Sequence, residues 1–370
     1  MNVLAKFTYF FAAFPYIFSY LGFSGVQPYA IFSAFLFLLI KARSGINLNN
    51  RTYLFLFFSL FLFLLGSILF IEDLIPIGLL ISTLSPLILI LFHNNASSYL
   101  STKFLENILL VYIASAIFAF FFPELFISFT KLFTTNYRYD LVLEGARGTG
   151  TILYGPEPGL SAGVVCLIFF GWLLHRDPTK VFKNLFIILG AIFTVYETKS
   201  GTGYVLILAA LGYAFFIQST NFSMKVFYYL LSFLFLSILY VYLDFILTLT
   251  NQGVRVLEIL VSGNIPETSS AAVRINSTVV ALYEVIEYPF GVVQKILFGV
   301  GTILPLDPGF PTPLGRYVYT FGILGLIFFM LLLISLDCYK YIRYLLIVCF
   351  LIPYPLSLPT FMFLLSRKKE

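Results

Sequence analysis

The sequence predicts an all-α fold, a polytopic transmembrane bundle of about eleven helices with two large outer loops among otherwise short connections. Three observations predict it. Only 11% of the 370 residues are charged, 60% are hydrophobic and 19% aromatic, and the mean hydropathy is +0.97. A soluble chain covers its surface with about a quarter charged residues, so water is not the expected main solvent. Second, charge-free runs such as 52–71, 74–92 and 317–336 approach the ~20 residues a helix needs to cross about 30 Å of hydrocarbon. Third, these runs are apolar on every face, whereas strands of a membrane barrel alternate over about 10 residues.

Taken in order, the expected spans are 7–21, 26–40, 52–71, 74–92, 104–122, 158–174, 183–197, 201–217, 226–247, 314–336 and 344–365. Lys6 and Lys41 bracket 34 uncharged residues, barely enough for two crossings, with Pro15 and Pro28 interrupting them. The 183–197 run is short and calls for snorkelling ends or local thinning. Pro353, Pro355 and Pro359 break the last run, which reads either as a full span or as a re-entrant hairpin. The first 40 residues lack the short apolar stretch and small-residue cleavage site of a signal peptide. No internal repeat is evident, and residues 1–370 read as one integral membrane domain.

Lys and Arg favour cytoplasmic loops. With the N-terminus inside, the inner loops hold Lys6, Lys41, Arg43, Arg51, Lys103, Arg176, Lys180, Lys183, Lys225, Lys340 and Arg343, against only Glu106, Asp177 and Asp337. The outer loops are then 123–156 and 248–313, both long enough to suggest function. Within the second, 267–288 reads as an amphipathic helix. It has Thr268 or Ser269 as cap, Val279, Leu282, Tyr283 and Ile286 at helical spacing, and Pro289 at its end.

Some classes of function are disfavoured. The basic residues are scattered, so the net charge of +5 does not suggest nucleic acid as a partner. Cys166, Cys338 and Cys349 fall in or beside apolar runs and read as helix packing rather than as disulfides or metal ligands; no metal or cofactor is expected. His93 and His175 fall on inner loops and read as solvated loop residues.

The polar residues of interest are on the outer side. Arg147-Gly148-Thr149-Gly150 leads to Gly155-Pro156-Glu157-Pro158-Gly159-Leu160-Ser161-Ala162 at the head of a span. Glu197-Thr198-Lys199-Ser200-Gly201-Thr202-Gly203 forms a tight outer turn. The large loop adds Arg255, Arg274, Lys295 and Phe298-Gly299-Val300-Gly301. Taken singly, each has an ordinary explanation. Arg147 and Arg274 suit lipid headgroups or nearby Glu144 and Glu284, and the glycines suit turns. Together they are harder to dismiss, because a carboxylate between two prolines at a membrane boundary is costly to keep without a role.

The order of these motifs, with Phe321-Gly322-Ile323-Leu324-Gly325-Leu326 closing the series, resembles the Wzy-type O-antigen polymerase family, within the O-antigen polymerase and ligase superfamily. The resemblance covers topology along the whole chain and local motifs from 147 to 326. It implies a glycosyltransferase of the bacterial cell inner membrane, with its site facing the periplasm. Its substrate would be oligosaccharide repeat units on undecaprenyl pyrophosphate, and a flippase and a chain-length regulator would be its partners beside the lipid bilayer. That chemistry needs cations for a diphosphate and a base for the acceptor hydroxyl. Arg147 and Arg274 are the first candidates for the cations, with Lys199 and Arg255 behind them. Glu157 is the candidate base, with Asp244 a second.

The chain also departs from the family. The Ser-Arg-Gly turn of related proteins is Lys199-Ser200-Gly201 here, which shifts the cation. The repeated Arg-x10-Gly signature of some polymerases does not appear. Ligases of the superfamily carry a histidine in the large outer loop, and this chain has none there, which favours polymerase over ligase. A lipid-linked oligosaccharide flippase or transporter is the remaining alternative. It is disfavoured by the scarcity of mid-span charge and the lack of a repeat.

Overall fold

The computed structural model describes residues 2–14, 17, 28–46, 48, 50, 53–54, 57–58, 61, 88–133, 158–218, 280, 297, 322–324, 327 and 331. Among them the regular structure is helical throughout, with no strand. We number the helices α1 (Asn2–Ala13), α2 (Pro28–Ala42), α3 (Thr102–Phe121), α4 (Pro123–Phe133), α5 (Pro158–His175), α6 (Val181–Glu197) and α7 (Gly201–Gln218). A further helical stretch covers 88–96. Three of the starts are written in the sequence. Pro28, Pro123 and Pro158 each occupy the first helical position, where proline's fixed φ fits and its missing N–H costs nothing.

The chain divides into two compact units, Met1–Ser101 with Val273–Glu370, and Thr102–Ala272. In the first, α1 packs on α2, and Ala5, Ala12, Ala30 and Ala34 of the two helices are fully buried, small side chains of the kind that let helices approach closely. At that contact the Thr8 hydroxyl donates to Ser33 Oγ (2.6 Å), which donates to Ala30 O (3.1 Å). The first helix was expected at 7–21 but runs from Asn2 to Ala13. It stops two residues short of Pro15, whose ring and missing N–H oppose continuation. Lys6 lies inside it on an exposed face.

His93 corrects the expectation of a solvated loop histidine. It lies in the 88–96 helix, 2% exposed, with Nδ1 hydrogen-bonded to Tyr9 Oη at 3.2 Å. Phe92 packs against Tyr9 and Phe37, with ring centroids 5.4 and 5.1 Å apart. A buried imidazole is tolerated there because the tyrosine hydroxyl satisfies one ring nitrogen.

The second unit holds α3 to α7. Apart from α4, its helices alternate in direction. The Thr102 hydroxyl at the start of α3 donates to His175 O at the end of α5 (3.3 Å), and Glu106 of α3 pairs with Lys183 in the first turn of α6. Farther along, Phe120 of α3 meets Phe193 of α6 (5.8 Å), so these two helices run parallel. Phe170 of α5 stacks on Tyr213 of α7 (6.0 Å), and those two run the other way. One end of the unit therefore gathers Lys103, Arg176, Lys180 and Lys183. There Asp177 accepts from the Thr179 amide (3.1 Å) and hydroxyl (2.7 Å), and lies 3.5 Å from Lys180 Nζ. The Thr179 bonds hold the Asp177 carboxyl below its usual range.

Among the described residues one helix, α3, is long and apolar enough to cross a membrane by length and composition; shorter apolar stretches lie in α1, α2, α5 and α7. The expected outer loop 123–156 begins with α4, an 11-residue helix in contact with the last turn of α3. The expected spans 226–247 and 344–365 lie outside the described residues. So do the loop 248–313 with its 267–288 helix and the span 314–336, apart from isolated positions.

Candidate functional site

At the end of the second unit away from the four basic residues, α5 begins, α6 ends and α7 begins. The α6–α7 turn is fixed by backbone bonds. Thr198 N–H donates to Thr194 O (3.3 Å) and Val195 O (3.2 Å), Lys199 N–H to Tyr196 O (2.9 Å), and Tyr204 N–H to Ser200 O (3.3 Å). Ser200 thus closes the first turn of α7, a position its residue type favours. Thr198 and Ser200 are buried while Lys199 between them is exposed, so the turn projects one cation outward.

Lys199 has φ 49°, the left-handed conformation that normally ends a helix with glycine. Lys199→Gly is therefore expected to stabilise the fold by about 1 kcal/mol, read as a higher unfolding temperature in detergent. A lower temperature would mean that the lysine side chain itself holds the turn.

Gly203 brings three helices to one point. A methyl group there would stand 2.7 Å from Ala162 Cβ of α5 and 2.9 Å from Val195 Cγ1 of α6. One turn further into α5, Cys166 Sγ lies 3.7 Å from Gly203 O, buried as expected of a packing cysteine. The Ser161-Ala162 end of one motif is thereby set against the Thr198–Gly203 turn of the other, although about 40 residues separate them in sequence.

Of the residues singled out from sequence, Lys199 is at this junction. Glu157, Arg147, Arg274, Arg255 and Asp244 lie outside the described residues, although Glu157 immediately precedes α5 in the chain. Ser161 stands in the sequence motif but was given no role there. It is fully buried, and its hydroxyl has no hydrogen-bond partner among the described residues, which is unusual for a buried polar group. Its place in the Glu157–Ala162 motif was the available signal.

The junction offers the exposed Lys199 cation close to the half-buried Glu197 carboxylate, and the opening amides of α7 with the positive end of its dipole; the buried Ser161 hydroxyl belongs to the residue before Ala162. Such a set suits a polar ligand. No family model matches the chain, and no curated protein or solved structure is significantly similar to it.

Proposed function

We propose that this chain is a polytopic inner-membrane glycosyltransferase that polymerises oligosaccharide repeat units carried on undecaprenyl pyrophosphate, working at the periplasmic face. The observation that carries the reading is the junction of Ser161-Ala162 with the Lys199–Gly203 turn, at the end of α5, α6 and α7 opposite Lys103, Arg176, Lys180 and Lys183. Two motifs of the resemblance thus share one end, and the basic residues expected in the cytoplasm share the other.

A lipid environment explains the surface of the helices. Phe32, Phe35, Leu36, Leu39 and Ile40 form an exposed ridge along α2, and Phe182, Leu185, Phe186, Leu189 and Ile192 another along α6. Soluble proteins rarely leave contiguous apolar patches of that kind in water. Thr130 and Thr194 return their hydroxyls to Phe126 O (2.8 Å) and Gly190 O (2.8 Å), so neither needs a partner from the solvent.

In the proposed reaction the acceptor hydroxyl of an incoming unit attacks the anomeric carbon of the growing chain. The bond from that carbon to the diphosphate oxygen breaks, and the lipid diphosphate leaves with the electron pair. Glu157 takes the hydroxyl proton, while Arg147, Arg274 and Lys199 bind the developing charge, with Arg255 and Asp244 as further substrate contacts.

The test is the surface polysaccharide of a deletion strain. The expected result is single repeat units still transferred to the usual final acceptor, with no longer chains. Long lipid-linked chains with none on the acceptor would identify a ligase, and units trapped on the cytoplasmic side a flippase; either overturns the reading. In the same assay Glu157→Gln should reproduce the deletion, because the amide keeps size and polarity but cannot accept a proton.

A further inference from the structure

Helix α4 has three distinct faces. Phe126, Ile127 and Thr130 are buried, with Ala119 of α3 completing the core and Phe118 packed on its edge. Phe118 lies 6.4 Å from Phe126 and 6.0 Å from Phe129 by ring centroid. Glu124, Ser128 and Lys131 recur at i, i+4 and i+7 and form an exposed polar ridge. Shifted by one residue, and so by about 100° around the axis, Leu125, Phe129 and Leu132 form an exposed apolar ridge; Leu132 is 67% exposed. A helix resting on protein in water has no use for the third face.

Depth identifies what covers it. α3 is 20 residues long, about 30 Å, which matches the hydrocarbon thickness. It begins beside the Lys103, Arg176, Lys180 and Lys183 end, so α4 begins where the apolar layer finishes on the other side. The corner between the two helices exposes Phe120, Phe121 and Phe122, continuous with Leu125. Glu124 in the first turn and Lys131 in the last complement the dipole of a helix lying at the boundary.

The geometry points to α4 as an in-plane membrane anchor. Its Leu125, Phe129 and Leu132 ridge sits among the acyl chains at the border of the leaflet on the candidate-site side, and Glu124, Ser128 and Lys131 face the headgroup water. Such helices bury their apolar face about 5–10 Å into the headgroup–acyl boundary. The inference rests on the proposed membrane reading and adds a lipid contact that holds the outer end of α3 at a fixed depth.

The experiment places nitroxide labels on the full chain in phosphatidylcholine vesicles and compares collision with oxygen and with a water-soluble nickel chelate. The signal of the unsubstituted protein is subtracted. Leu125→Cys, Phe129→Cys and Leu132→Cys should collide severalfold more with oxygen, and Glu124→Cys, Ser128→Cys and Lys131→Cys severalfold more with nickel. Val111→Cys, on the exposed face of α3, is the reference and should be deeper than all six. If Val111 is immersed while all six α4 sites meet nickel equally, or are shielded from both reagents, the anchor is wrong and the span stands. If Val111 meets nickel as well, the membrane reading fails and the anchor with it.

Discussion

Gly203→Val is expected to abolish both the junction and any activity that depends on it. The added Cβ alone would approach Ala162 Cβ to 2.7 Å and Val195 Cγ1 to 2.9 Å, and neither neighbour is the end of a long flexible side chain. Ala162 Cβ is fixed to the α5 backbone, so relief requires α5 and α7 to separate. The branched methyls then add further crowding, at or beyond the upper end of the about 1–3 kcal/mol typical of overpacking.

Gly190→Ala is the comparison. Its Cβ would meet one side chain, Ile113, at Cδ1 (2.5 Å), Cγ1 (2.9 Å) and Cγ2 (3.0 Å), so the whole buried side chain has to shift, but no backbone-fixed Cβ of a second helix is met. Alanine also gains about 1 kcal/mol of helix propensity over glycine in α6, offsetting part of that cost. Thermal unfolding of the two variants by size-exclusion chromatography separates the cases. The expected outcome is a large fall for Gly203→Val and a smaller one for Gly190→Ala. A wild-type profile for Gly203→Val would mean that α5 and α7 are not held by this contact.

These neighbours also show what a linear reading can and cannot see. Residues 104–122, 158–174, 183–197 and 201–217 were legible as helices because prolines, glycines or charges punctuate each apolar run, and the structure has helices at 102–121, 158–175, 181–197 and 201–218. The turn at Lys199 was legible from its serine and glycines. The Gly203–Ala162 contact was not, since a glycine that permits a turn and one that admits another helix look alike until the helices are packed. His93 was misread because its partner, Tyr9, is 84 residues away. Lys183 was placed near a span end, and its pairing with Glu106 of another helix was not visible in the sequence. α4 was hidden by its brevity: 11 residues of mixed polarity after a proline resemble a loop. Except at α4, tertiary partners rather than local pattern decided these.

Arg147→Ala and Arg274→Ala are each expected to cut chain growth roughly a hundredfold while leaving the protein in the membrane. Both positions come from the sequence motifs, Arg147 eleven residues before the start of α5 and Arg274 in the large outer loop. In the proposed reaction the diphosphate accumulates charge as its bond to the sugar breaks. Losing one charged donor aimed at that oxygen removes about 2.7 kcal/mol of transition-state stabilisation. Neither side chain is expected to hold the helices together, so abundance and unfolding temperature should stay near wild type, unlike Gly203→Val. Arg→Lys at either position separates binding modes. A point charge restores long-range attraction but not a bidentate fork, so lysine should recover only a small part of the rate. The measurement is the modal chain length of surface polysaccharide, with membrane abundance determined in parallel. Wild-type chain lengths in both alanine variants would return the two arginines to ordinary pairing with lipid headgroups, and the diphosphate would need other cations, with Lys199 the first to examine.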